Sequence, residues 1–414
     1  MPRSGGTTKS RSFWRDRLAT GATEALIRSM PKDRSQPGPS YKGRILIAPD
    51  KFKGTLTSEA AAKAIEKGLL RAWPEATATR LMLTDGGEGF MELMVAQTGG
   101  TFRQARTTDA ASRPCLARWG VLGNGTTAVV GLTSASGIAQ LPPKLRNPEE
   151  TSNLGTGRLL ALAAVECREI LIGLGGSATT EGGISLAAAI GYRFLDKAGQ
   201  DIPLNGGGLA HLDHIIPPPR KPKARYVVAT DVDNPLYGAK GAARQFAPQK
   251  GADAAMVERL DKGLRRLARI VKRDLGVDVA DEPGAGAAGG AGYGLMAFFG
   301  ARRENGFQLV RRLTGLDALI RQHDLIITGE GCFDRTSLLG KAPAQLGDLA
   351  RKLKRPAWAL CGRATLPVAK TPFVRLAALS TPENPGPPPD TLTSAQHARR
   401  LERLAFELAR SAGA

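Results

Sequence analysis

Glu169-Ile-Leu-Ile-Gly-Leu174 runs without interruption into Gly175-Gly-Ser-Ala-Thr-Thr-Glu-Gly-Gly183 and then Ile184-Ser-Leu-Ala-Ala-Ala-Ile190. The first six residues are a short apolar run suited to a buried strand, the glycine stretch is a turn, and the last seven suit a helix. The same order recurs along the chain. Arg44-Ile-Leu-Ile-Ala48, stopped by Pro49, precedes a helix with Ser58 at its N-cap and Pro74 at its end. Thr79–Thr84 runs into Asp85-Gly-Gly-Glu-Gly89, Arg225–Thr230 into Asp231-Val-Asp-Asn-Pro235, and Asp324–Thr328 into Gly329-Glu-Gly-Cys-Phe-Asp334. Ala357–Leu360 leads to Cys361-Gly-Arg363. Strands rich in Val, Ile and Leu that alternate with helices imply an α/β protein with largely parallel sheets.

A chain of 414 residues has room for two domains. Its hydrophobic fraction of 42% and charged fraction of 23% are those of an ordinary globular protein, and no apolar stretch is long enough to span a bilayer. Cys115, Cys167, Cys332 and Cys361 form no C-x-x-C pair, which argues against a zinc site or a disulfide framework and fits a cytoplasmic location. The net charge of +20 raises the question of a nucleic-acid partner. Only 5% of residues are aromatic, with no basic–aromatic interleaving to stack bases, so an Arg-rich surface is the preferred reading. Part of the excess lies in residues 1–40, which hold eight Lys/Arg against three Asp/Glu, within a stretch, 1–42, that reads as a mobile extension.

Ligands of open α/β sheets gather at the carboxyl ends of the strands. Here those ends repeatedly join glycine to carboxylates or hydroxyls. Gly175, Gly176, Ser177 and Thr179 form a candidate anion cradle, in which backbone N–H groups, hydroxyls and a helix N-terminus face phosphate. Asp231 and Asp233 are hard oxygen donors suited to Mg²⁺ bridging nucleotide phosphates. Glu330 and Asp334 make a second carboxylate pair, and Asp85 and Glu88 a third. Lys51 and Lys53 follow Asp50 at the first strand end, with Lys341 and Arg363 after later ones; such cations offset the repulsion of phosphoryl transfer to an anion. Gly284-Ala-Gly-Ala-Ala-Gly289 matches G-x-G-x-x-G but follows no apolar strand, so a dinucleotide site is rejected there, while Gly286 and Gly289 remain candidates for lining a site. No Walker-type phosphate loop occurs.

Taken together, Ile47-Ala-Pro-Asp-Lys-Phe-Lys53, Thr84-Asp-Gly-Gly-Glu-Gly89, Gly155-Thr-Gly157, Gly175–Thr179, Asp231-Val-Asp-Asn-Pro-Leu236, Phe246-Ala-Pro-Gln-Lys-Gly251, Gly284–Gly290, Thr328-Gly-Glu-Gly331 and Gly340-Lys341 resemble, in order, the glycerate kinases of the bacterial non-P-loop type (glycerate 2-kinase-like). One departure is Thr180-Glu181 where that family usually has Asn-Asp, which keeps a carboxylate on a longer arm. The resemblance implies two different α/β domains: a flavodoxin-like doubly wound parallel sheet interrupted by a second, inserted α/β domain, with the active site in the interdomain cleft. The corresponding ranges are a basic extension at 1–42, the flavodoxin-like domain at 43–92 and 284–380, the insertion at 93–283, and a Pro-rich loop with a final helix at 381–414.

It further implies ATP and Mg²⁺ as partners and D-glycerate as the acceptor, with 2-phosphoglycerate the preferred product and 3-phosphoglycerate the other. On this reading Asp231 and Asp233 hold Mg²⁺ or orient the hydroxyl. Asp231, Glu330 or Asp334 takes its proton, while Lys53, Asp50, Asp85 and Glu88 position the acid. Gly175, Gly176, Ser177, Thr179, Gly286, Gly289 and Lys341 attend the nucleotide. A homodimer is among the states the sequence allows. A kinase of the same scaffold acting on another small hydroxy acid, and a non-catalytic nucleic-acid-binding or regulatory protein, are the alternatives.

Overall fold

The computed structural model describes residues 41–52, 54–83, 87, 89–382 and 391–412. In chain order the first elements are β1 (Arg44–Ile47), α1 (Ser58–Ala72), β2 (Thr77–Arg80), α2 (Phe90–Thr98), β3 (Thr101–Thr108), β4 (Pro114–Val121) and β5 (Thr127–Gly131). There follow α3 (Leu154–Glu166), β6 (Glu169–Gly173), α4 (Ile184–Ala188), β7 (Arg193–Leu195), β8 (His214–Ile216), β9 (Arg225–Ala229), α5 (Ala242–Phe246), α6 (Ala254–Leu275) and α7 (Ala287–Phe299). The last part holds β10 (Arg302–Glu304), α8 (Gly306–Thr314), α9 (Leu316–Gln322), β11 (Leu325–Thr328), β12 (Cys332–Phe333), α10 (Ala342–Lys352), β13 (Ala357–Ala364), β14 (Arg375–Ser380) and α11 (Ser394–Ser411). These fall into two compact units, one made of Met1–Thr84 with Val310–Ala414 and the other of Asp85–Leu309.

In the first unit the strands are all parallel, in the order β2-β1-β11-β13-β14, with the two-residue β12 pairing further along β13. Numbered by use, that order is the flavodoxin-like 2-1-3-4-5, and it reverses direction between β1 and β11. Apolar residues on one face, Ile45, Ile47, Leu325, Ile327 and Trp358, are covered by Ile65 and Leu69 of α1, by Trp73 at its C-cap and by Leu401, Leu404 and Leu408 of α11. The N-cap of α1 is Thr57, one residue before the expected Ser58, and its hydroxyl accepts from the Ala60 N–H. A capping box of Thr393 and Gln396 starts α11. Gly68 sets how closely these helices meet, since a Cβ there would lie 2.2 Å from the Glu402 carbonyl oxygen.

The second unit has a mixed sheet in the order β10-β9-β6-β5-β4-β3. β10, β9, β6 and β5 are parallel, and β4 and β3 add an antiparallel edge. The register aligns Gly131 with Gly173 and Gly173 with Ala229, so the loops after β5, β6 and β9 leave the sheet side by side. Ile170, Ile172 and Val228 pack against Leu159 and Leu160 of α3 and Leu295 of α7. A second cluster joins Leu260, Leu264, Leu267 and Val271, at helical spacing on α6, to Tyr293 and Phe298 of α7.

The expected return to the flavodoxin-like part at 284 is displaced to Val310. β10 extends the second sheet by pairing with β9, and α7 packs so tightly on α4 that a Cβ at Gly183 would lie 2.6 Å from the Gly294 Cα. Likewise α11 is not an appendage but a core element of the first unit. No helix among the described residues is long and apolar enough to cross a membrane, and the four cysteines are free thiols.

Candidate active site

Two groups of polar residues stand at strand ends, one in each unit. In the first unit the ladder between β1 and β11 continues past both strands: the Ala48 N–H donates to the Ile327 carbonyl and the Asp50 N–H to that of Gly329. This places Asp50 beside Gly329 and Glu330 at the switch point of the sheet, where ligands of such sheets bind. Gly329 has to be glycine, because a Cβ would fall 1.8 Å from the Leu360 carbonyl oxygen. Glu330 is 5% exposed. Lys341, at the N-cap of α10, donates to Glu330 Oε2 at 3.0 Å and to Ser337 Oγ at 3.1 Å. The buried Oε1 of Glu330 has no hydrogen-bond partner. Burial raises the carboxyl's pKa above the ordinary value, with Lys341 opposing.

Asp334 has a different situation. It accepts from the Thr336 hydroxyl and N–H and from the Ser337 N–H, and the Thr336 hydroxyl leads the causes that lower its pKa. It is committed to its own turn. Lys53, Asp85 and Glu88, expected to position the acceptor, lie outside the described residues.

In the second unit Asp231 accepts from Asn305 Nδ2 at 2.6 Å and from the Gly306 N–H at 3.2 Å. Asp233 pairs with Arg303 at 2.6 Å, its side chain 77% exposed. No cluster of three or more metal-ligating side chains occurs among the described residues. The two carboxylates nevertheless fit Mg²⁺ of the kind held by one or two protein oxygens plus substrate phosphates and water.

The loop after β6 divides into an outer and an inner part. Gly175 is half-buried and Gly176 exposed, the latter at φ 71°. Ser177 and Thr179 turn inward instead: Lys250 donates to Ser177 Oγ at 2.9 Å, and Asn153 Nδ2 donates to Thr179 Oγ1 at 2.8 Å. Asn153 Nδ2 also reaches Glu181 Oε1 at 2.7 Å, while Glu181 Oε2 accepts from the Ser185 N–H at the start of α4. Glu181 is fully buried, and burial raises its pKa. Gly286 and Gly289 are buried too. A Cβ on Gly289 would lie 2.0 Å from the Thr179 carbonyl oxygen, and one on Gly286 2.3 Å from that of Pro235. Both press the start of α7 onto the loops that follow β6 and β9.

Sequence reasoning did not single out Asn153 or Lys250. Lys250 is 2% exposed, and burial pushes its pKa down to about 7. The available signal was a lysine two residues after a proline and directly before a glycine in Phe246–Gly251, where a surface charge has no long helix face to occupy.

Residues 45–412 match the model of the glycerate kinase family. The chain is 41% identical over 327 residues to the glycerate 2-kinase of Escherichia coli K12, covering 78% of this chain and 86% of that protein. It is 38% identical over 323 residues to the glycerate kinase of Bacillus subtilis 168, covering 77% and 85%. A crystal structure from Salmonella typhimurium LT2 that carries the name glycerate kinase 2 superposes with a TM-score of 0.77 at 35% identity, covering 89% of this chain and 97% of that one.

Proposed function

Since the chain belongs to the glycerate kinase family, we propose that it transfers the γ-phosphoryl group of ATP to the 2-hydroxyl of D-glycerate, with Mg²⁺. The bond between the γ-phosphorus and the β–γ bridging oxygen breaks, and a bond to the glycerate oxygen forms. The hydroxyl proton passes to a carboxylate, and ADP leaves with the bridging electron pair. Of Asp231, Glu330 and Asp334, Glu330 is the base in this reading. One observation carries that choice: Oε1 is a buried carboxylate oxygen without a partner, while Lys341 fixes the other oxygen. A substrate hydroxyl would satisfy it, and a raised pKa suits a group that accepts a proton near neutrality.

Asp50, held beside Glu330, orients the acid, and Lys341 presents a cation to the transferring group. Gly175 and Gly176 offer backbone N–H groups to phosphate oxygens. Asp231 and Asp233 would hold Mg²⁺, which when bound neutralises charge on the β- and γ-phosphates. Arg303 orients Asp233 and Asn305 orients Asp231.

The test is ADP release with D-glycerate, wild type beside Asp233→Ala, with the product's phosphate position read by NMR. Glycerate-dependent turnover, a 2-phospho product and a large loss of kcat in the variant are expected. A 3-phospho product would overturn the position alone. Turnover with tartronate and none with glycerate would mark a kinase of another small hydroxy acid.

A further inference from the structure

Lys250 ends the single turn Pro248–Lys250, and its ammonium donates to Ser177 Oγ and to the Thr179 carbonyl. Its backbone is wedged in place. Gly251 follows at φ 100°, where a Cβ would meet the Arg146 carbonyl oxygen at 2.3 Å. Around these bonds the loop after β6 is tied from inside at Ser177, Ala178, Thr179 and Glu181. Thr151 Oγ1 donates to the Ala178 carbonyl, Asn153 to Thr179 and Glu181, and the Ala178 N–H to the Ser136 carbonyl. A tether alone does not require an ammonium. Apolar packing or a neutral donor would join turn and loop without taking a charge out of water. In its protonated form, which a bound anion would favour, the amine adds a positive charge that reaches Ser177, the residue next to Gly176, from the protein side, while Gly176 itself is exposed.

We propose that Lys250 is a positioning residue for the nucleotide: from beneath the loop it holds Ser177 and Thr179 so that Gly175 and Gly176 present their N–H groups outward, and its charge favours an anion there. The inference rests on the reading of Gly175–Gly176 as a phosphate cradle, and the experiment separates the two.

Steady-state kinetics of the full chain are measured with ATP and D-glycerate varied in turn, for Lys250→Met, Ser177→Ala and Gly176→Ala. Lys250→Met keeps much of the apolar volume, and burial raises the Glu181 pKa, so its carboxyl takes up a proton more readily once the ammonium is gone. Loss of charge-assisted hydrogen bonds raises KM for ATP about tenfold or more in Lys250→Met and less in Ser177→Ala, with KM for glycerate unchanged in both. If Gly176→Ala raises KM for ATP while neither of the other variants does, the cradle stands and the role of Lys250 is overturned. If none of the three moves it, the cradle reading itself falls. An equal rise of both KM values in Lys250→Met is general damage and also overturns the proposal. Should Lys250→Met fail to fold, Ser177→Ala decides alone, an unchanged KM for ATP being the adverse result.

Discussion

Glu330 and Asp334 are four residues apart, on either side of the two-residue β12, yet their surroundings drive their carboxyl groups in opposite directions. Asp334 is a turn residue whose charge is stabilised by Thr336 and Ser337, so it is a poor proton acceptor. Glu330 is desolvated, and its raised pKa has two consequences of known sign. As a base it must be ionised, so the acid limb of kcat/KM should lie above the ordinary carboxylate range. For stability, the folded state holds the proton more tightly than the unfolded one, so stability falls as pH rises from the ordinary carboxylate pKa to the raised one. Glu330→Gln should therefore lower kcat by roughly 10² to 10⁴, the usual contribution of a general base, without lowering the melting temperature at pH 8. Its residual pH profile should lack the acid limb. A limb that persists unchanged would assign the proton to another carboxylate.

At the scale of elements, the start of α7 depends on the glycine run that matches G-x-G-x-x-G without being a dinucleotide site. Ala288, Gly289 and Gly290 take left-handed backbone angles, and the turn they make lies on the loop after β6. Gly289→Ala adds backbone strain at φ 70° and drives a Cβ against a carbonyl oxygen that cannot swing aside. Gly300→Ala serves as its control: φ is 65°, and nothing lies within 4 Å of the added Cβ. Left-handed strain alone costs roughly 1–2 kcal/mol, whereas overpacking adds about 1–3 kcal/mol more. Thermal melts should thus show Gly289→Ala clearly less stable than Gly300→Ala, with a raised KM for ATP in the former only. Equal melts would mean that the loop gives way easily. Strands with apolar runs, β1, β6, β9, β11 and β13, were legible within a few residues because burial on both faces demands such runs. β3 was not, since Thr-Phe-Arg-Gln-Ala-Arg-Thr-Thr lies mostly exposed on an edge. Nor was β10, whose Arg-Arg-Glu is a strand only because β9 offers it a parallel partner. Among the site residues, strand-end carboxylates could be read from position, but the inward turn of Ser177 and Thr179 could not. A hydroxyl's direction depends on Lys250 and Asn153, which come from distant parts of the chain.

For the whole molecule, the decisive feature is how the chain is threaded. The second unit is one continuous segment, 85–309, with its own six-stranded sheet and two large apolar clusters. The first is not continuous. β1 has β11 as its neighbour, and α1 packs on α11, so the residues before the insertion lack their partners until the C-terminal third has been made. A domain folds alone when it holds its own core, and a sheet built from two distant segments has to wait for loop closure. Expressed separately, residues 85–309 should unfold in one cooperative transition by circular dichroism and denaturant titration. Residues 41–84 should show no transition, because Ile45, Ile47, Ile65 and Leu69 have nothing to bury against without Leu325, Ile327, Leu401 and Leu404. Adding residues 310–414 in trans should restore a transition, since it supplies those four side chains and β13 as well. A non-cooperative 85–309 would mean that its mixed sheet draws its stability from outside its own clusters, and the division of the chain at Val310 would then describe geometry without describing folding.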